Sequence, residues 1–106
     1  MGVNQGAERR SLYRRETNAP AVVIVEGEST PANESLYDIN TDGLCLTSKT
    51  PIEPGKMVKV RMPVGGRATF EARGTAVWCA RAEGHYKVGV RFAKGRGSVS
   101  VTLNEH

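Results

Sequence analysis

The chain has 106 residues, enough for one domain around one modest core. Hydrophobic residues at 39% and charged residues at 25% exclude a disordered tail, and no apolar run approaches the ~18 residues of a membrane span. The net charge of +4 admits ordinary solubility or an anionic partner. Arg9, Arg10, Arg14 and Arg15 crowd one short segment, relieved only by Glu8 and Glu16, which favours the anionic partner.

Residues 1–8 are polar and are read as a flexible N-terminus. They hold no apolar stretch of a secretory leader, and Gly6 stands where a myristoylation signal needs Ser or Thr, so the cytoplasm is the default compartment. Residues 9–19 form an arginine-rich connector, followed by Pro20. Ala21–Glu26 is a β-branched run that predicts a strand. Turn formers fill residues 27–33, and a second strand runs from Glu34 to Ile39. Asn40-Thr41-Asp42-Gly43 predicts a tight turn, with Gly43 free to take a positive φ. Leu44–Thr47 is the third strand, closed by Pro51 and Pro54-Gly55.

From Met57 to Met62 the residues alternate, with Val58, Val60 and Met62 on one face and Lys59 and Arg61 on the other. Gly65-Gly66 signals a hairpin. Ala68, Phe70 and Ala72 then alternate with Thr69, Glu71 and Arg73. Gly74 predicts a bulge in a long strand that resumes through Val77 and Cys79. Tyr86, Val88, Val90 and Phe92 line one face of the sixth strand. Ser98–Leu103 reads as either a short strand or a loose tail. Six strands joined by short turns predict an all-β antiparallel barrel or sandwich over residues 20–94, with a C-terminal tail at 95–106. No amphipathic helix of ten residues is visible.

Little here points to catalysis. His85 lies in a turn and His106 is the last residue, and neither has a nucleophile or carboxylate at a motif spacing. Gly65-Gly66-Arg67-Ala68-Thr69 lacks the Lys-Ser/Thr of a phosphate-binding loop. Cys45 and Cys79 are too few for a disulfide framework and are not spaced as metal ligands. They are expected to be buried free thiols. The expectation is therefore a protein that is not an enzyme, with no metal and no cofactor.

Two short pieces flank the first strand. In Arg9-Arg10-Ser11-Leu12-Tyr13-Arg14, two guanidinium groups stand four residues apart. Each can form paired hydrogen bonds to a phosphate or to the O6/N7 edge of guanine, and each reads equally as a solvated basic segment. In Asp38-Ile39-Asn40-Thr41-Asp42-Gly43, the Asp38 carboxylate can accept the N1–H and N2–H₂ donors of guanine. The alternative is a local Asx turn in which Asp38 or Asn40 bonds its own backbone.

Together and in this order, the pieces resemble a PilZ domain, whose marks are RxxxR in an N-terminal connector and D/N-x-S-x-x-G at a strand-turn-strand. Arg10 to Arg14 matches the first and Asp38 to Gly43 the second, with Asn40 where the motif has Ser. Gly43-Leu44-Cys45-Leu46, Pro54-Gly55-Lys56-Met57-Val58, Gly74-Thr75-Ala76-Val77-Trp78 and Val88-Gly89-Val90-Arg91-Phe92 resemble successive strands of that family. The resemblance covers roughly residues 8–94. It implies a six-stranded antiparallel PilZ-type β-barrel, with the family's C-terminal helix short or absent here.

The resemblance also implies a bacterial receptor for cyclic di-GMP. Arg10 and Arg14 would grip phosphate and the Hoogsteen edge of one guanine, Asp38 the other guanine edge with Asn40 beside it, and Gly43 would keep the turn tight. Arg9, before the motif, favours an intercalated pair of ligands over one. Trp78 either flanks a purine or covers apolar barrel surface, and Arg73 and Arg91 are read as solvated strand faces. No output domain fits in this length, so a receptor would signal through a partner protein, as a monomer or weak dimer. The alternative is a PilZ-fold adaptor that binds no nucleotide and acts through protein contacts. A nucleic-acid-binding barrel is disfavoured because only six aromatic residues exist and three of them, Phe70, Tyr86 and Phe92, are assigned to the core.

Overall fold

The computed structural model describes residues 19–95 and 97–104. They form seven strands: β1 (Ala19–Val25), β2 (Ala32–Ile39), β3 (Gly43–Ser48), β4 (Met57–Val64), β5 (Ala68–Ala82), β6 (His85–Phe92) and β7 (Val99–Leu103). All neighbours pair antiparallel in the order β4-β1-β2-β3-β6-β5, and β5 returns to β4. The first six strands thus close into a barrel. No helix occurs among the described residues.

The alternation seen in the sequence sets the core. Val23, Leu46, Val58, Val60 and Val88 are almost wholly buried, joined by Leu36, Leu44, Met62, Ala72, Ala76 and Val90. Phe70, Cys79, Tyr86 and Phe92 pack partly buried against them. Each fully buried aliphatic side chain contributes about 1.5–3 kcal/mol. On the outer face Glu71 lies 3.5 Å from both Lys59 and Arg61.

β5 is the longest strand and serves three neighbours. Its first half pairs with β4 on one side and β7 on the other, and its second half pairs with β6. The segment Ser98–Leu103 is therefore a strand over Val99–Leu103, added to the same sheet. The bulge expected at Gly74 is not there. Gly74 pairs in regular register with Val58 and with Phe92, and a methyl group on it would overlap the Arg91 carbonyl. Its residue type is set by close backbone approach.

The register shifts fall elsewhere, between Leu36 and Asp38 in β2 and between Ala76 and Trp78 in β5. Each inserts one extra residue into its strand, Tyr37 or Val77. A side chain's face alternates with period two, so an extra residue reverses the phase of everything after it. Leu36 and Ala76 point into the core, and strict alternation would send Asp38 and Trp78 in after them. The bulges turn both outward. Asp38 then lies opposite outward-facing Cys45, Trp78 opposite Gly89, and Cys79 returns to the core.

Candidate functional site

Register places four residues in one row across the outside of the barrel. Asp38 on β2 is opposite Cys45 on β3, Cys45 is opposite Gly89 on β6, and Gly89 is opposite Trp78 on β5. The two middle residues are small and the two outer ones are not. The result is a shallow groove of about 250 Å³, lined also by Asn40, Asp42, Gly43, Val77 and Arg91. A drug-sized ligand usually occupies a cavity of about 300–1,000 Å³. This groove can hold one part of a larger molecule and needs a second element to cover the rest.

The turn that bounds one end is held by Asn40. Its Oδ1 accepts from the amides of Asp42 at 2.8 Å and Gly43 at 3.0 Å, and its own amide donates to the Gly43 carbonyl at 2.9 Å. This is an Asx turn, so the local alternative holds for the Asn40 oxygen, and the side-chain Nδ2 is the donor the residue retains for the groove. The Phe92 amide donates to the Asp42 carbonyl at 2.9 Å and ties the turn to the end of β6. Asp38 Oδ1 accepts from the Ile39 amide at 2.8 Å.

Gly43 does not have the positive φ expected of it. It is fully paired, opposite Arg91, and a methyl group there would overlap the Val90 carbonyl oxygen. The requirement for glycine is steric. Gly89 has a different neighbour: the Trp78 indole packs against it, and a methyl on Gly89 would overlap the ring at Nε1. Trp78 remains 46% exposed, so one part of the ring covers the glycine and another faces solvent.

Cys45 forms the floor and Cys79 sits on the inner face, both half-buried free thiols. Burial pushes the Cys45 thiol above its ordinary value of 9.0. Nearby Lys87 pulls it down, Asp38 pushes it further up, and a hydrogen bond from the Val88 backbone lowers it. The Lys87 ammonium stands 3.2 Å from the centre of the Tyr37 ring and 3.3 Å from Thr47 Oγ1.

Asp38, Asn40, Gly43 and Trp78, distant in sequence, thus line one groove. Arg9, Arg10 and Arg14 lie outside the described residues. Arg91, read as a solvated strand face, is a lining residue, whereas Arg73 on β5 lies opposite Lys59 on β4 and lines no part of the groove. Asp42, Cys45, Val77 and Gly89 were not anticipated. Their placement follows from strand register and the bulges, which only cross-strand pairing makes visible. Among the described residues no cluster of His, Cys, Asp and Glu could hold a metal ion, and no helix is long and apolar enough to cross a membrane.

A family model for the PilZ domain matches residues 8–104, nearly the whole chain, including the arginine segment and β7. The chain belongs to the PilZ domain family. No curated protein and no solved structure matches it. PilZ domains are in general binding and adaptor domains, receptors for cyclic di-GMP prominent among them. In this PilZ domain, Asn40 replaces the motif Ser without loss of the turn, because its carbonyl oxygen makes the capping bonds.

Proposed function

We propose that this PilZ domain is a receptor for cyclic di-GMP. The supporting observation is the outward row Asp38–Cys45–Gly89–Trp78, a carboxylate and an indole facing each other across a floor of small residues. Trp78 offers a half-exposed aromatic face for a purine. Asp38 offers an anionic acceptor for the N1–H and N2–H₂ of a guanine, with the Asn40 side-chain amide beside it. Arg91 adds a guanidinium at the same end.

Electrostatics gives the connector its part. Among the described residues that line the groove, Asp38 and Asp42 are carboxylates and Arg91 is a cation. A ligand with two phosphates needs more positive charge than Arg91 alone supplies. Arg10 and Arg14 supply that charge, and Arg9 adds to it, so ligand capture depends on the arginine segment and the barrel groove acting together. The closed form is the signal, read by a partner protein in the cytoplasm. Catalysis has no place in the scheme, and the ligand leaves unchanged.

The test is calorimetry of the full chain against cyclic di-GMP, with GTP as control. Saturable binding is expected, with GTP silent. A good bidentate contact to guanine is worth about 1–3 kcal/mol, so Arg10→Ala or Arg14→Ala weakens binding roughly tenfold to a hundredfold or more. Trp78→Ala costs a similar factor, because stacking one base is worth about 1–3 kcal/mol. A stoichiometry near two ligands per chain supports the stacking role given to Arg9, and one near unity removes it. A flat trace from folded protein refutes the receptor. It would install the adaptor reading, which the engagement of the Asn40 oxygen in the turn already favours slightly.

A further inference from the structure

β7 is the last strand of the sheet, paired along one edge to β5. Its sequence is Val-Ser-Val-Thr-Leu, with no charge, no proline and no glycine. Natural edge strands use charged side chains and proline to avoid pairing with other chains, and β7 has neither. The contrast lies nearby. The end of β4 runs on past its ladder with β1 at Arg61, and there Pro63 interrupts the open edge.

The register shows which backbone groups of β7 are open. Arg73 donates its amide to the Ser98 carbonyl at 2.7 Å, and Asn104 donates to the Arg67 carbonyl at 2.7 Å. Positions 98 and 104 are therefore hydrogen-bonded toward β5. In an antiparallel ladder that role falls on every second residue, so Ser100 and Thr102 share it. The amides and carbonyls of Val99, Val101 and Leu103 point the other way, to the open edge. The side chains of the same three residues are exposed by 42%, 60% and 73%. They lie opposite Ala72, Phe70 and Ala68, on the face that forms the barrel interior farther along β5.

We propose that β7 pairs antiparallel with β7 of a second copy, about a twofold axis at Val101. That axis matches Val101 with Val101, Val99 with Leu103 and Ser100 with Thr102. The residues whose backbone groups are open then meet each other as hydrogen-bonded pairs. Apolar side chains meet apolar ones on one face, and hydroxyls meet hydroxyls on the other. A neutral strand brings no like-charge repulsion to this contact. Shifting the pairing by one residue would set open backbone groups against groups already bonded to β5, so the pattern selects this register. An interface of one five-residue strand is small, and the dimer is weak and concentration-dependent.

Sedimentation velocity of the full chain, without nucleotide, tests this from about 10 μM to about 1 mM, a range that brackets weak association. The average mass is expected to climb from 11.5 kDa toward twice that value. Val101→Pro removes an amide that points away from β5, and Val101→Lys adds a charge to the open edge. Both variants are expected to stay at one chain throughout, with melting temperatures within a few degrees of the parent. Val101→Cys is expected to form an interchain disulfide under mild oxidation, because a hydrogen-bonded antiparallel pair holds its Cα atoms about 5.5 Å apart. Ser100→Cys, which meets Thr102, is not. A constant mass to the top of the range overturns the proposal and leaves the edge to an extended segment of another protein. Association undiminished in Val101→Lys overturns it too, and locates the contact elsewhere.

Discussion

Gly89→Ala separates the packing role of Trp78 from its exposure. The new methyl group would occupy the place of the indole nitrogen, and the ring, being a half-exposed side chain, relieves the overlap by swinging off the barrel. One face of an indole is roughly 60 Å² of the ~150–250 Å² that aromatic residues bury. Exposing it costs about 1.5 kcal/mol at ~25 cal/mol per Å². Alanine returns about 0.5–1 kcal/mol of this, because glycine loses more backbone freedom in a strand. The net loss is about 0.5–1 kcal/mol, which lowers the melting temperature by roughly 2–8 °C in a domain of this size. The chain has one tryptophan, so emission reports on this ring alone. A red shift and increased quenching by iodide are expected in Gly89→Ala, together with weakened binding of cyclic di-GMP. Parental emission with an unchanged or higher melting temperature would refute the packing argument.

Gly43→Ala meets the Val90 carbonyl, which is backbone and has no rotamer to escape to. Its loss of stability is expected to exceed that of Gly89→Ala, about 1–3 kcal/mol by chemical denaturation. Asn40→Ala removes two capping hydrogen bonds and is expected to cost about 1–2 kcal/mol, while Asn40→Asp, which keeps an acceptor, stays near the parent in the same assay. Cys45 gives a pH dependence. Its thiol is raised in the folded protein, so the folded state binds more protons than the unfolded state above the ordinary value of 9.0. The stability it contributes is complete below that pH and declines as pH rises through and beyond it. Denaturant midpoints from pH 7 to pH 10 should fall less steeply in Cys45→Ala than in the parent.

Much of the barrel is legible in the sequence because its strands bury one face. The alternation in Met57–Met62 and Tyr86–Phe92 marks inner and outer residues directly, and Pro54-Gly55 and Gly65-Gly66 mark the breaks. The motif residues Asp38, Asn40 and Gly43 are also legible, since they fall within six residues of one strand-turn-strand. The row that joins Asp38 to Trp78 is not. It depends on which strands are neighbours and in what register, and on two inserted residues whose side chains carry no local signal. Tyr37 and Val77 look like ordinary strand residues. Gly74 looks like a bulge and is instead a point of close backbone approach. The strand character of Val99–Leu103 is weak locally because all five residues stay exposed, and pairing with β5 decides it.

The paired bulges also say what kinds of sequence change this domain tolerates. Substituting Tyr37 or Val77 alters a side chain on the outside. Deleting either one would carry a carboxylate or an indole into the hydrophobic interior and bring core residues to the surface. Length, more than identity, is the constrained quantity at these two positions. The same holds for transplantation: moving Asp38, Cys45, Gly89 and Trp78 onto another barrel at matching positions would place the outer two on the wrong side. The groove travels only with the two extra residues that keep its walls and the core out of step.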